Sequence, residues 1–155
     1  MSDENRKQTG TEYPQLQLSS QLCFPLYACA RKVISAYTPL LKPFGLTYTQ
    51  YIVLLALWEE EDGKEKVGDV CHKLYLDCGT MTPMLKKMEE NGWITRCRCK
   101  VDERCVYVEL TEKGWALRDE VKDIPIKLGK CICLQQEEAF ELYQLLYKLL
   151  DSMEE

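Results

Sequence analysis

One cysteine and three tyrosines near the N-terminus are the first residues whose types and spacing indicate chemistry. Cys23 stands in the stretch Gln-Leu-Cys-Phe at 21–24, near the expected start of a helix. The N–H groups and dipole of a helix start favour a thiolate, the form of cysteine that reacts with peroxide. Tyr27, Tyr37 and Tyr48 follow, and a phenol donates a hydrogen bond to a thiolate without adding a full charge. Spacing alone favours ordinary packing for an apolar-flanked cysteine in a helix.

The nine cysteines do not predict a disulfide scaffold, because their number is odd, the first residues form no apolar signal segment, and 46% of the chain is hydrophobic. Cys97, Cys99 and Cys105 invite a zinc interpretation. If Lys100 pairs with Cys105 across a four-residue loop, Cys97 and Cys99 face one side of a hairpin and Cys105 the other, so the thiols do not converge. His72 is the only histidine. We therefore expect no metal site and no cofactor.

Residues 67–110 organise the rest of the chain, and their pattern predicts a helix pair. Asp77 and Thr80 are N-cap residue types, and Gly79 is expected to end the preceding helix. Pro83 is expected in the first turns of the second helix, where a missing N–H costs little. Asn91-Gly92 is a helix stop. Apolar residues recur at helical spacing and predict a buried face: Leu74, Met81, Leu85 and Met88.

A two-stranded wing is predicted to follow the helix pair. Two β-rich runs, 93–100 and 105–110, flank the polar turn 101–104. A helix pair with a basic-tipped hairpin places one helix in a major groove and a ribbon on the adjacent backbone of double-stranded DNA. Nine basic and seven acidic side chains give residues 64–108 a net charge of +2, whereas the whole chain carries −5. Positive charge is thus concentrated where a DNA-contacting surface is expected, although the charge alone fits an ordinary mixed, solvated surface equally well.

Long amphipathic helices are predicted on both sides of this centre. An apolar stripe between Leu16 and Tyr37 predicts one helix, which Pro25 either kinks or forces to start nearer Phe24. Pro39, Pro43 and Gly45 are expected to break the chain before a second helix capped by Thr47 or Thr49, apolar almost all round and central to the core. After the wing, Thr111 caps a helix to about Asp123, and a further helix runs from roughly Ile126 or Gln135 to Met153.

The expected fold is mostly α with a small β wing: a winged helix-turn-helix with terminal dimerisation helices. The DNA-binding domain spans 46–110, helical dimerisation regions span 15–45 and 111–155, and residues 1–14 form a flexible N-terminus. A stripe without a partner in its own domain usually finds one in a second subunit, so we expect a homodimer. The chain shows no bilayer-length apolar run, and we expect a cytoplasmic protein with no membrane partner.

The sequence closely resembles the organic hydroperoxide sensor branch, OhrR, of the MarR family of winged-helix repressors. The resemblance covers about residue 18 to the end and is weaker after Lys122. The matching segments are QLCF and LY within 21–27, YTPLL at 37–41, LTYTQYIVLLALWEE at 46–60, LYLDCGTMTPMLKKMEENGWITR at 74–96, DER at 102–104 and LTEKG at 110–114.

This resemblance implies that Cys23 senses peroxide. It implies that Tyr37 and Tyr48 hydrogen-bond the sulfur, one from each subunit, with Tyr27 close by. The oxidised sulfur then condenses with Cys131 or Cys133 of the other subunit, or with a small thiol. If 131 and 133 lie on a helix, their side chains point about 200° apart, so at most one faces the sulfur, and Cys131 is slightly favoured.

The resemblance also implies that residues 77–89 enter the major groove of a pseudo-palindromic operator. Asp102 would organise the wing, and Arg104 would reach the minor groove or its phosphates. Two positions depart from the family: Cys78, where serine is usual at a DNA contact, and Pro25, where a helix former is usual. The candidate DNA-contacting residues are Asp77, Cys78, Gly79, Thr80, Thr82, Pro83, Lys86, Lys87, Arg96, Asp102 and Arg104.

The leading hypothesis is a transcriptional repressor, not an enzyme, that releases its operator when an organic hydroperoxide oxidises Cys23. A MarR-type repressor released by a small aromatic ligand would not need Cys23. A thiol peroxidase would turn peroxide over with a thiol reductant, but it leaves the wing unexplained, and only Arg31 and Lys32 bring basic charge near Cys23. A purely structural DNA-binding protein would bind without regard to sequence or oxidant.

Overall fold

The chain adopts a mostly helical fold with one small sheet. The computed structural model describes residues 13–99 and 105–153. By internal contacts the chain divides into two units, Met1–Val121 and Lys122–Glu155. The elements in chain order are α1 (Cys23–Leu41), α2 (Tyr48–Glu59), β1 (Lys64–Lys66), α3 (Val67–Lys73), α4 (Cys78–Glu90), β2 (Ile94–Arg98), β3 (Val106–Leu110), α5 (Glu112–Val121), α6 (Ile124–Gly129) and α7 (Gln136–Asp151).

The core of the first unit is built around α2. Thr47 caps this helix: its hydroxyl accepts from the Gln50 N–H (3.3 Å), and the Gln50 side chain accepts from the Thr47 N–H (3.0 Å). A helix that is apolar almost all round is stable only when it is surrounded. Val53, Leu54 and Leu57 are accordingly inaccessible to solvent. The predictions of a central second helix and of a cap at Thr47 are confirmed.

The first helix starts later than the apolar stripe from Leu16 suggested, and it ends after Pro39 rather than before it. Two short 3-10 turns precede it, and α1 begins at Cys23, so the alternative start near Phe24 is confirmed. Pro25 is therefore the third residue of the helix, a position at which a backbone N–H would have no intrahelical acceptor. The prediction that Pro39 breaks the chain was wrong, because α1 continues to Leu41. Gly45, with φ of 70°, makes the turn into α2.

The wing is a three-stranded antiparallel sheet in the order β1-β3-β2. The strands β2 and β3 confirm the predicted hairpin. The first strand was not predicted, because Lys64-Glu65-Lys66 has no β-rich pattern. It is held in place by pairing with β3, where the Lys64 ammonium lies 3.0 Å from the Glu109 carboxylate.

Three helices follow the wing. The Thr111 hydroxyl accepts from the Gly114 N–H (3.0 Å) and donates to the Gly92 carbonyl (2.6 Å), which confirms the predicted cap of α5. Pro125 lies in the first turn of α6, and α7 starts after Gln135, so the chain forms two helices beyond Asp123. Apolar side chains are exposed along α7: Phe140, Leu142, Tyr143, Leu145, Leu146, Tyr147 and Leu150.

Within the described residues, no one helix combines the length and apolar character needed to cross a membrane. The segments Cys23–Phe44 and Tyr48–Glu59 pass that test only as a pair, and they are bent by 78° relative to each other.

Candidate nucleic-acid interface and redox site

The second helix of the pair, α4, starts where its sequence provides a cap. The Asp77 carboxylate accepts a hydrogen bond from the Thr80 N–H (3.0 Å), which satisfies one of the unpaired donors of the helix start. Asp77 is therefore the N-cap, as predicted. Thr80, the other candidate cap, is the third residue of the helix instead.

Two predictions about glycine and proline in this region were wrong. Gly79 does not end the preceding helix, because it is the second residue of α4. Instead Tyr75, with a left-handed backbone (φ 54°), terminates α3, and the Leu76 N–H donates to the Cys71 carbonyl (2.9 Å). Pro83 is the sixth residue of α4, beyond the orphan N–H groups of the helix start. Its missing N–H therefore removes a regular intrahelical bond.

The helix α4 presents one buried face and one exposed face. Met81, Leu85 and Met88 are at most 1% exposed and anchor the helix to the core. The predicted DNA contacts on the helix are all exposed: Cys78, Gly79, Thr80, Thr82, Pro83, Lys86 and Lys87. A polar and basic face on a helix whose apolar side is fixed is the arrangement that major-groove binding requires.

Arg96, one of the predicted DNA contacts, is bound to Glu89 of α4. Its Nη2 and Nε donate to Glu89 Oε2 (2.7 and 3.0 Å), and its backbone N–H donates to Oε1 (3.0 Å). Hydrogen bonding to Arg96 lowers the pKa of the Glu89 carboxyl. Sequence reasoning missed Glu89, although its charge opposes that of Arg96 across the Asn91-Gly92 turn. The pair fastens strand β2 to α4 and positions the wing.

Replacing Glu89 with glutamine is expected to lower the free energy of unfolding by about 0.5–1 kcal/mol at about pH 7, because the ion pair is partly screened by solvent. A folded-state pKa below the unfolded one contributes stability above the unfolded pKa, and this contribution is lost as pH falls through the folded pKa. The difference between wild type and Glu89→Gln in urea unfolding should therefore shrink on acidification. Glu90→Gln, on an exposed neighbour, is the control, and an equal effect there would contradict the assignment.

The register of the wing differs from the predicted one by one residue. Arg98 pairs with Val106, and the Cys99 N–H donates to the Cys105 carbonyl (2.8 Å). Directly opposed residues point to the same side of a sheet, so Cys97, Cys99 and Cys105 share one face. The expectation that Cys105 faces away was wrong. No group of three His, Cys, Asp or Glu residues in 13–99 and 105–153 is placed to hold a metal ion.

Two predicted wing contacts, Asp102 and Arg104, lie outside the described residues.

Cys23 is exposed in the single chain at the first position of α1. Its apolar neighbours Leu22 and Phe24 are 69% and 42% exposed. Tyr27 follows one helical turn later on the same face, and its hydroxyl accepts a hydrogen bond from Arg31 (2.8 Å). An exposed thiol among exposed apolar side chains marks a surface that an additional molecule or subunit would cover.

Tyr37 and Tyr48 lie together in a cluster of three aromatic rings. Their ring centroids are 5.0 Å apart, and the Tyr51 ring is 5.7 Å from that of Tyr37. Burial, with a smaller effect of Tyr48, raises the pKa of Tyr37. Burial also raises the pKa of Tyr51 to about 12. Both phenols therefore stay protonated at neutral pH, as hydrogen-bond donors must. Sequence reasoning missed Tyr51, which looked like one more member of an apolar helix.

The tyrosine cluster is far from the Cys23 of its own chain. Tyr37 comes fourteen positions after Cys23 in one continuous helix, which places their Cα atoms about 21 Å apart at a rise of about 1.5 Å per residue. Tyr48 contacts Tyr37, so it is also beyond hydrogen-bond reach of that sulfur. The implied arrangement with one tyrosine from each subunit does not fit this geometry.

Cys131 and Cys133 are both exposed. They lie in the connection between α6 and α7, where the backbone is not helical, so the argument from helical spacing does not apply. The Cys131 thiol donates to the Lys127 carbonyl (3.6 Å). The choice between these two thiols stays a prediction.

Comparisons with known proteins agree on the class. A family model described as transcriptional regulator SarA/Rot matches residues 35–121. The organic hydroperoxide resistance transcriptional regulator of Bacillus subtilis (strain 168) is 44% identical over 146 residues, which cover 92% of this chain and 95% of that protein.

Solved structures of AbfR, a protein of Staphylococcus epidermidis, are also similar. Reduced AbfR bound to DNA matches with a TM-score of 0.74 and 34% identity, over 92% of this chain and 98% of that one. Disulfide-formed AbfR matches with a TM-score of 0.62 and 37% identity, over 88% and 95%. The chain is thus similar over most of its length to a regulator solved on DNA and in an oxidised state.

Proposed function

This chain belongs to the MarR family of winged-helix transcriptional regulators, on its organic hydroperoxide sensor branch, and we propose that it is a DNA-binding repressor whose operator is released when Cys23 is oxidised. The observation that carries this proposal is the combination of an exposed thiol at the start of α1 with an exposed basic face on α4. As a repressor it acts in the cytoplasm and performs no catalytic turnover.

The proposed repressor is a homodimer that binds the two halves of a pseudo-palindromic operator. Exposed apolar side chains on α1 support this, since Leu41 is the only residue of that helix that is fully buried. The exposed apolar stripe of α7 supports it too. Two-fold symmetry places two reading helices at equivalent positions about one turn of DNA apart.

Both tyrosines that hold the sulfur of Cys23 come from the partner subunit. Two copies of α1 that cross antiparallel near Ala30 have Cys23 of one opposite Tyr37 of the other, because the two residues are equally far from position 30. Ala28 and Ala30, with small side chains, allow a close approach there. Tyr48 follows Tyr37 to the same sulfur because their rings are in contact.

Oxidation proceeds in two steps. The Cys23 thiolate attacks the peroxide oxygen and the O–O bond breaks. The sulfur becomes a sulfenic acid, and the departing alkoxide takes a proton from water to give the alcohol. A second thiol then attacks the sulfur and releases water. That thiol is Cys131 or Cys133 of the partner, or a small thiol. A disulfide-formed state of the similar protein AbfR supports disulfide formation as the outcome of oxidation. A disulfide requires Cα atoms about 4.4–6.8 Å apart, so closure moves helices and alters the spacing of the reading helices.

The experiment that tests the proposal is a gel shift on the DNA upstream of the protein's own coding region. We expect a complex in reductant, a loss of affinity of about 5- to 150-fold with an organic hydroperoxide, and recovery with dithiothreitol. Release by a small aromatic compound without oxidation of Cys23 would support the ligand-released repressor instead. Sustained peroxide consumption with a thiol reductant would support a peroxidase.

A further inference from the structure

Two half-buried cysteines face each other at the end of the wing. The ladder of β2 and β3 ends on the pair Arg98 and Val106, and one position further on the Cys99 N–H donates to the Cys105 carbonyl (2.8 Å). Cys99 and Cys105 are therefore directly opposed as a hydrogen-bonded pair, in which the Cα atoms lie about 5.5 Å apart. A disulfide requires Cα atoms about 4.4–6.8 Å apart. The backbone of these two residues thus already has the spacing that a bond between them needs.

The same register selects this pair over the third cysteine of the wing. Cys97 shares the face of Cys99 and Cys105, but it lies opposite Tyr107. It is therefore a diagonal neighbour of Cys105, and diagonal neighbours lie about 7–8 Å apart, beyond the range of a disulfide. A bond to Cys105 is accordingly expected from Cys99.

We propose that Cys99 and Cys105 form a second redox pair, separate from Cys23, that closes to a disulfide across the wing. The oxidant is a low-molecular-weight disulfide such as oxidised glutathione. One thiolate of the pair attacks a sulfur of the oxidant, whose S–S bond breaks, and the departing thiolate takes a proton from water. The other thiol of the pair then attacks the protein sulfur of this mixed disulfide and expels the second small thiol, which takes up its proton. The pair loses two electrons, and the oxidant is reduced to two thiols.

Closure moves the end of the wing. Opposed Cβ atoms in a sheet lie about 4.5–5.5 Å apart, against about 3.5–4.5 Å in a disulfide, so the two strand ends must approach by about 1 Å. Arg96 and Glu89 hold β2 to α4, so the start of β3 is the part that moves relative to α4. Donor–acceptor distances of N–H···O hydrogen bonds span only about 0.5 Å, and a wing contact to DNA is lost by such a shift. For this consequence alone the inference rests on the proposed function.

The test uses full-length Cys23→Ser protein, free of DNA, that is incubated with oxidised glutathione, alkylated and digested with trypsin. Cleavage after the arginines and lysine of 96–104 puts Cys97, Cys99 and Cys105 on three different peptides, so mass spectrometry identifies the partner of each thiol. We expect the peptides of Cys99 and Cys105 to be joined and both thiols to be protected from alkylation. Dithiothreitol should separate the two peptides.

Operator binding is measured on the same samples by fluorescence anisotropy. The joined protein is expected to bind about tenfold more weakly than the reduced protein, an effect the size of one lost DNA contact, and dithiothreitol should restore binding. Replacing both Cys99 and Cys105 by serine in the same background should abolish this response to oxidised glutathione. Cys97→Ser is the matched control on the same face, and it should join and lose affinity as the parent protein does.

Three results would overturn the inference: the two peptides stay separate, Cys105 joins Cys97, or the joined protein binds operator as tightly as the reduced one. Wild-type protein treated with an organic hydroperoxide in parallel separates this inference from the proposed function. Release of DNA on oxidation of Cys23, in a protein whose wing thiols do not join in oxidised glutathione, contradicts the pair alone. Joined wing peptides in a protein whose Cys23 does not react with hydroperoxide contradict the proposed function alone.

Discussion

Replacing Cys23 with serine is expected to leave a preformed operator complex intact in an organic hydroperoxide that dissociates the wild-type complex. Serine keeps the size and hydrogen bonding of the side chain but forms no sulfenic acid. The loss of affinity of about 5- to 150-fold expected for wild type should therefore be absent, while affinity in reductant stays unchanged. Fluorescence anisotropy with labelled operator and about one equivalent of hydroperoxide per subunit measures both.

Cys29→Ser is the matched control, since Cys29 is another exposed thiol on α1. It should respond to hydroperoxide as wild type does. Prompt release of DNA by the Cys23→Ser complex would show that sensing lies elsewhere in the chain.

Among replacements of single glycine residues by alanine, Gly114→Ala is expected to cause the largest loss of stability. A Cβ at this position would lie 2.1 Å from the Trp93 carbonyl oxygen and 3.1 Å from the Leu110 side chain. The backbone here is also fixed from the other side, because Trp58 Nε1 donates to the Gly114 carbonyl (3.1 Å). We expect the free energy of unfolding to fall by about 3 kcal/mol. The melting temperature should fall by about 6–12 °C at fixed protein concentration.

Gly68→Ala provides the control, because a Cβ at Gly68 in α3 meets nothing within 4 Å. Alanine has the better helix propensity, so this change should raise the free energy of unfolding by about 0.5–1 kcal/mol. Equal melting temperatures for the two variants would contradict the close approach of α5 to the α4–β2 turn.

Local signals in the sequence predicted the cap, the buried face and the end of α4, but not the places of Gly79 and Pro83 within it. The Asp77 cap, the burial of Met81, Leu85 and Met88, and the Asn91-Gly92 stop are each decided by residues within one or two turns, and all were predicted correctly. Leu74, the fourth residue of the predicted buried stripe, is only partly buried at the end of α3. Proline was harder. Pro39 lies inside α1, which continues for two more residues to Leu41, so the missing N–H of one proline does not end this helix.

Partners distant in sequence account for the other differences. The strand β1 exists because β3 offers it a free edge, and nothing in Lys64-Glu65-Lys66 indicates that edge. The wing register depends on loop length, and one residue more in the loop places Cys105 opposite Cys99. Tyr51 and Glu89 are recognisable only once Tyr37 and Arg96 are seen beside them.

The central claim is that the phenols of one subunit hold the reactive sulfur of the other. It can be tested with two heterodimers whose Cys23 oxidation rates are followed by mass spectrometry. In the first, one chain carries Cys23→Ser and the other carries Tyr37→Phe and Tyr48→Phe. In the second, one chain carries all three changes and the other is wild type. Tyr51→Phe, at a ring in the same cluster that is 1% exposed, is the control for disturbing the cluster.

If the tyrosines act across the interface, the first heterodimer should oxidise at the wild-type rate. The second should be slower by about tenfold or more, since hydrogen bonds to a charged group contribute about 1.5–3 kcal/mol. The opposite pattern, slow in the first and wild-type in the second, would place the sulfur with the tyrosines of its own chain and contradict the account.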